Sequence, residues 1–325
     1  MDSLKHMRER LSRSRHVVAL TGAGMSQESG LPTFRDATDG LWNQYVASEV
    51  ATAEALRANP QKVWLWLREL VHEMSKAMPS AGHLALGQLE QRCKVTVVTQ
   101  NVDDLHERAA STDVIHLHGN AYAYRCMDCT RPMVMPAGAI PEWKTLTQTM
   151  RCSHCGGLIR HDVVLFNEAV DATRMAQARS AIEAADVVLV IGTSGLIYPA
   201  ATLPQYASDL HKYVVEINPD DTPISAVVPA RIKGMAAASL VELLSDDGLP
   251  FAGRASQPAL YQEHASVALL YALPEFGLAS GTVGVIVHCH VGGTSFEFEF
   301  MSPDGRTIGV ATLHGDDLRP LNAGE

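Results

Sequence analysis

The chain has 325 residues, 46% hydrophobic and 19% charged, enough to bury a sizeable core and, at roughly 150 residues per domain, to form two folded units. A formal charge of −10 weighs against a protein that holds nucleic acid by neutralising phosphates, so no direct nucleic-acid binding is expected, while a basic protein partner stays open. No apolar run reaches the ~20 residues that cross a bilayer, so no membrane partner is expected either.

Residues 1–15 are basic and are expected to form a short surface helix leading into a first strand. The apolar stretch 17–20 is shorter than a signal-peptide core, which points to a cytoplasmic chain where unpaired thiols survive. Short β-branched and aliphatic runs then recur at 16–24, 95–101, 114–120, 162–168, 186–195 and 213–218, each ending in small or polar residues. Helix-like stretches lie between them at 54–78, with an internal Pro60, and at 173–185. Near-continuous apolar strands alternating with helices imply an α/β fold, a Rossmann-like parallel sheet covered on both faces. Ligands of such sheets sit outside the carboxyl ends of the strands, and the chemically interesting residues fall at those ends here. Residues 121–160 hold four cysteines and read as an inserted small module. Residues 246–257 read as a linker, and 258–325 as a small all-β module. In it Phe296, Phe298 and Phe300 alternate with Glu297 and Glu299, the period of a strand with one buried face, and PDG at 303–305 signals a hairpin turn.

The first strand runs into TGAGMSQESGLPTFRD (21–36). Glycines at 22 and 24 let a backbone approach a pyrophosphate, and a following helix start would offer free amides. As a dinucleotide fingerprint the string is incomplete, because Gln27 stands where a third glycine belongs. In TQNVDDLH (99–106), Asn101 and Asp103 suit either a helix cap or the grip on a ribose or amide. His116 and His118, two apart on a strand, share a face; a metal pair and two satisfied core histidines are both open. Cys126-x-x-Cys129 and Cys152-x-x-Cys155 have the spacing of a closed four-thiolate zinc site, with Gly156 and Gly157 suiting a tight knuckle. A redox function needs one such pair, not two. Cys93 and Cys289 are expected to be buried thiols.

These strings resemble, in order, the motifs of the sirtuin family over roughly residues 10–245. GAGMSQESGLPTFR matches its nucleotide-binding signature, TQNVDDLH and His118-Gly119 its catalytic motifs, and RHDVVLFNE (160–168) its substrate segment. The stretches LWNQY (41–45) and VATAEAL (50–56) look most like its class III branch. The resemblance implies a catalytic domain over 1–245 that acts as an NAD-dependent protein-lysine deacylase. NAD would be a co-substrate, zinc structural, and an acyl-lysine protein the partner. It implies that NAD is held by Gly22, Ala23, Gly24, Ser26, Phe34 and Arg35 from the first loop. Gln100, Asn101 and Asp103 follow from the second, and Gly192, Thr193, Ser194, Asn218 and Ala236 hold the adenosine half. His118 would be the general base, with Asn101 and Asp103 beside it, and Phe34 the shield of the reacting sugar.

In the implied reaction the acyl oxygen attacks the sugar carbon bearing nicotinamide, and His118 then draws a proton from the ribose hydroxyls so that the acyl group passes to the sugar. The backbone of Val163, Leu165, Phe166, Asn167 and Glu168 would clamp substrate as an added strand. His161 stands where the family has proline and Asn167 where it has glycine, the latter adding a side chain where substrate should pass. Leu67 and Leu70 replace the Tyr-x-x-Arg pair of desuccinylases, which implies neutral acyl groups. NAD hydrolysis or ADP-ribosyl transfer in the same pocket is an alternative, as is a zinc-ribbon protein that only senses NAD. The C-terminal module resembles small SH3-like bacterial domains and would serve targeting, a protein partner or stability.

Overall fold

The computed structural model describes residues 4–31, 47–133, 150–244, 265–269, 278, 281–289, 295–301, 307–314 and 318–320. The chain divides into two compact units, Met1–Asp247 and Gly248–Glu325.

The first unit is built on a six-stranded parallel sheet. Its strands are β1 (His16–Thr21), β2 (Lys94–Thr99), β3 (Val114–His116), β7 (Val187–Ile191), β8 (Tyr213–Ile217) and β9 (Ala230–Ile232), in the order β3-β2-β1-β7-β8-β9. Every residue of β1, β7 and β8 is buried, as expected where helices cover both faces. On one face Ala178 and Ile182 of the helix Ala172–Ala184 and Leu203 and Ala207 of the helix Leu203–Asp209 pack on Val18, Leu20, Val188, Val190 and Val214. The strand order reverses between β1 and β7, which opens a crevice at their carboxyl ends.

A three-stranded antiparallel sheet of β4 (Gly119–Cys126), β5 (Pro132–Met133) and β6 (Ile159–Val163) carries the cysteines. The structure departs from the sequence pattern in three places. The run 162–168 does not join the parallel sheet: its first residues close β6, which pairs with β4. The run 114–120 is two strands, broken at Leu117 and His118 where the chain leaves one sheet for the other. The long helix splits into Ala53–Ala58 and Pro60–Lys76. Proline has no amide to give and fixes a helical φ, so it starts the second helix, with the Asn59 side chain accepting from Lys62 N at 3.0 Å.

The second unit holds a five-stranded antiparallel sheet of β10 (Ser266–Leu269), β11 (Val283–Cys289), β12 (Ser295–Met301), β13 (Thr307–His314) and β14 (Leu318–Pro320). The order β13-β12-β11-β10-β14 is a four-strand meander with the last strand returned beside the first. Phe296, Phe298 and Phe300 are all buried, packed with Val267, Leu269, Ile286 and Leu313. The PDG turn at 303–305 lies outside the described residues.

Candidate active site

The two glycines after β1 are required by the protein itself. A Cβ on Gly22 would lie 2.8 Å from the Gly192 carbonyl oxygen, and one on Gly24 2.8 Å from Gly192 Cα. Gly192, at φ +59°, is equally closed in by Gly24 and Met25. Their amides are committed too: Gly22 N donates to Ile191 O and Gly24 N to Gly192 O. The glycines therefore let the β1 and β7 loops touch at the crevice, and the helix Ala23–Gln27 starts from that contact.

Across this edge the expected ligand residues form one hydrogen-bonded belt. Asn218 Nδ2, at the end of β8, donates to Thr193 O at 2.9 Å, and Gln100 Nε2, at the end of β2, to Thr193 Oγ1 at 2.9 Å. Asn101 Nδ2 donates to Gly22 O (3.1 Å) and Ser26 Oγ (3.0 Å), and Ser26 Oγ donates to Asp103 Oδ2 (2.9 Å). Ser194 Oγ accepts from Leu196 N, and Ala236 begins the helix Ala236–Leu244, buried, two residues beyond Gly234, whose amide reaches Asn218 O. Burial pushes the Asp103 carboxyl up, against the bonds from Leu105 N and Ser26. Phe34, Arg35 and the 41–45 stretch lie outside the described residues.

His118 joins the belt from β3's end. Its Nδ1 donates to Gln100 O at 2.9 Å, which leaves Nε2 with a lone pair and without a hydrogen-bond partner among the described residues. Burial lowers its pKa below the ordinary imidazole value, more than the Gln100 bond raises it, so the ring is a neutral base at pH 7. Gly119 has φ +83°, and a Cβ there would meet Asp162 O at 1.9 Å, which is why glycine follows this histidine. His116 differs: its Nε2 lies 2.6 Å from Glu107 Oε1 and its Nδ1 3.3 Å from Asn101 O.

Beside His118 runs the segment 163–168, tied in by Val164 N to His118 O (2.7 Å) and by Phe166 N to Ala51 O (2.9 Å). The Val163 and Leu165 side chains are buried, so only their backbone can face a ligand, whereas Phe166 is 41% exposed. The Glu168 carboxylate is engaged internally, accepting two bonds from the Arg160 guanidinium (2.6 and 2.9 Å) and one from Leu165 N (2.8 Å). Asn167 sits at φ +66°, the left-handed region that favours glycine, and its Nδ2 donates to Glu54 Oε2 at 3.0 Å. The side chain that stands in place of glycine is thereby tethered to Glu54. His161 is buried, its ring tilted against those of Trp64 and Tyr124 at 4.8 Å from each, with Nδ1 donating to Ala121 O. The Arg160–Glu168 pair joins the two ends of the RHDVVLFNE segment, a pairing the string does not reveal, and the Glu54 and Glu107 contacts join residues with no motif spacing.

The sulfurs of Cys126, Cys129, Cys152 and Cys155 all lie within 4.8 Å of one another, with Cys126–Cys155 at 3.5 Å and Cys129–Cys152 at 3.8 Å. Tetrahedral zinc with Zn–S of about 2.3 Å needs sulfurs about 3.8 Å apart, so the cluster fits the ion. Asp128 N and Cys129 N point at Cys126 Sγ, stabilising a thiolate. A Cβ on Gly157 would meet Asp128 Oδ2 at 2.3 Å, and Gly156 has φ +76°, so both glycines serve the second knuckle. All four ligand positions are filled by sulfur, which gives a structural site. Cys93 is half-buried, its thiol pKa raised by that burial.

Residues 22–199 match the model of the Sir2 family, and residues 263–320 that of a domain of unknown function, DUF4926. The chain is 42% identical over 228 residues to an NAD-dependent protein deacylase of Mycolicibacterium paratuberculosis, covering 70% of this chain and 96% of the relative. Among solved structures it resembles a Sir2 homologue–NAD complex at 40% identity and TM-score 0.66, over 75% of this chain and 92% of that one. It also resembles a Sir2–p53 peptide–NAD+ complex at 28% identity and TM-score 0.64, over 75% of this chain and 98% of that one.

Proposed function

Because the chain belongs to the Sir2 family, we propose that it is an NAD-dependent protein-lysine deacylase. The observation that carries this is the position of His118, a neutral imidazole with one free nitrogen, at the end of a belt that joins four strand ends. When bound, NAD supplies the sugar carbon that accepts the acyl oxygen and the nicotinamide that leaves. Gln100, Thr193 and Asn218 hold its adenosine side, and Asn101, Ser26 and Asp103 the nicotinamide side. His118 Nε2 takes a proton from a ribose hydroxyl, a role within reach of an imidazole at neutral pH. The extended backbone at 164–166 receives the acyl-lysine segment as an added strand. The four cysteines would hold zinc as a closed structural site.

We favour neutral acyl groups over succinyl. Leu67 is buried in one apolar cluster with Val163, Leu165 and Ala121, and Leu70 packs against it, so a carboxylate would find no charged partner from these two positions. The reaction belongs in a reducing compartment, the cytoplasm, where the thiolates persist. No helix among the described residues is long and apolar enough to cross a membrane. The C-terminal module contributes none of these groups, and we read it as a docking module for a protein partner.

The test is a panel of acetyl-, butyryl- and succinyl-lysine peptides with NAD, read as acyl-ADP-ribose and free lysine. Acetyl or butyryl turnover that disappears in His118→Ala is expected. Free ADP-ribose without loss of acyl-lysine would make the chain an NAD hydrolase, and preferred succinyl turnover would overturn the acyl reading.

A further inference from the structure

His116 and His118 grip successive carbonyls of one loop, His118 Nδ1 at Gln100 O (2.9 Å) and His116 Nδ1 at Asn101 O (3.3 Å). Their second nitrogens have opposite fates. That of His118 is open, whereas His116 Nε2 meets Glu107 Oε1 at 2.6 Å, on the helix Leu105–Arg108 that leaves the same loop. A carbonyl and a carboxylate can only accept hydrogen bonds, so both nitrogens of His116 must carry a proton. We propose that His116 is a positioning residue: an imidazolium clamped by Glu107 that fixes Asn101, and through it the loop that meets the nicotinamide side of NAD. This rests on the deacylase reading.

Asn101 is held at three points: its amide donates to Thr99 Oγ1 (3.0 Å), its side chain to Gly22 O and Ser26 Oγ, and its carbonyl accepts from His116. Only the last of these depends on a titrating group. The side chain of His116 is 12% exposed and that of Glu107 40%, so the pair closes the loop's outer side while solvent reaches the carboxylate. The ionisable groups facing His116 are Glu107, Asp103 and the buried neutral His106. Burial opposes a charge on His116, yet the bond and charge of Glu107, with the Asn101 carbonyl and Asp103, hold its pKa above the ordinary value. The two histidines thus divide the work, one kept neutral to take a proton and one kept charged to hold the loop.

The experiment is the pH profile of kcat and kcat/KM for the full chain and for Glu107→Gln and Glu107→Asp. For E107Q we expect kcat to fall on the order of 100-fold with peptide KM little changed, as for a misplaced reacting group, and the alkaline limb to move to lower pH. E107D, which keeps the charge, should restore the limb. An E107Q profile that matches the wild type, or a lowered melting temperature with an unmoved limb, overturns the proposal. Side-chain nitrogen NMR of the wild type at pH 7, with His116→Asn to assign the signal, decides the protonation whether or not E107Q folds. Two protonated nitrogens on His116 are expected, and a single-proton ring overturns the clamp. A wild type that consumes neither NAD nor acyl peptide would sink the deacylase reading and leave the NMR result standing on its own.

Discussion

Asn167 occupies left-handed backbone, which costs an ordinary L-residue roughly 1–2 kcal/mol and glycine almost nothing. Asparagine tolerates this region better than other side chains, and here its amide leaves the clamp for Glu54. One position therefore answers two demands, a turn in the backbone and a tie to the helix Ala53–Ala58. Asn167→Gly should keep the peptide KM and lose little stability. Asn167→Val, whose branched side chain resists positive φ, should lose about 1–2 kcal/mol in urea denaturation and raise the peptide KM. Equal stability of the two variants would show that the backbone at 167 relaxes freely. The same position shows what a sequence alone leaves open. A string shows that glycine has been replaced, but the direction of the new side chain depends on Glu54, more than a hundred positions earlier.

At the scale of elements, β12 is the clearest case of a pattern that sequence carries. Alternation alone places Phe296, Phe298 and Phe300 on one face, and all three are buried. What alternation omits is register. Phe300 lies opposite Gly284 on one side and Gly309 on the other, and its Cζ is 2.8 Å from where a Cβ on Gly309 would be. Gly309 is the space into which the Phe300 ring lies, as Gly284 is for the ring of Phe298, so Gly309→Val should destabilise the module by about 1–3 kcal/mol through overpacking. Thermal unfolding of the full chain checks this; an unchanged transition would mean that the ring has room elsewhere. The cysteine spacing was legible for a similar reason, since two knuckles around a tetrahedral ion leave little freedom. The run 162–168 was not, because the apolar stretch VVLF suits a parallel core strand and a small antiparallel sheet equally. The belt residues were legible as motifs, but their order across the edge follows from a strand reversal that no local pattern encodes.

For the whole molecule the buried histidines set the response to acid. His83 is fully buried, its Nδ1 accepting from Ser80 N, and burial pushes its pKa down to about 4. Burial does the same to His161, to about 4, and carries His106, which meets Thr21 Oγ1, well below the ordinary value. Each folded pKa lies below the unfolded one near 6.5, so between those values the unfolded chain binds protons that the folded chain refuses. This stability is complete above pH 6.5 and is lost as pH falls toward 4, at about 3 kcal/mol for a group shifted from 6.5 to about 4. His116 runs the other way: its folded pKa is raised, so its contribution is present at low pH and fades as pH rises through that pKa. The acid side therefore outweighs it, and melting temperature should fall steadily from pH 7 to pH 5. His83 is the useful probe, because it sits on the helix Ala81–Leu89 and not among the zinc cysteines, whose ligands also take up protons in acid. His83→Asn should lower the melting temperature at pH 7 and flatten its slope between pH 7 and 5. A variant with the wild-type slope would mean that the acid response comes from the zinc site or the carboxylates instead.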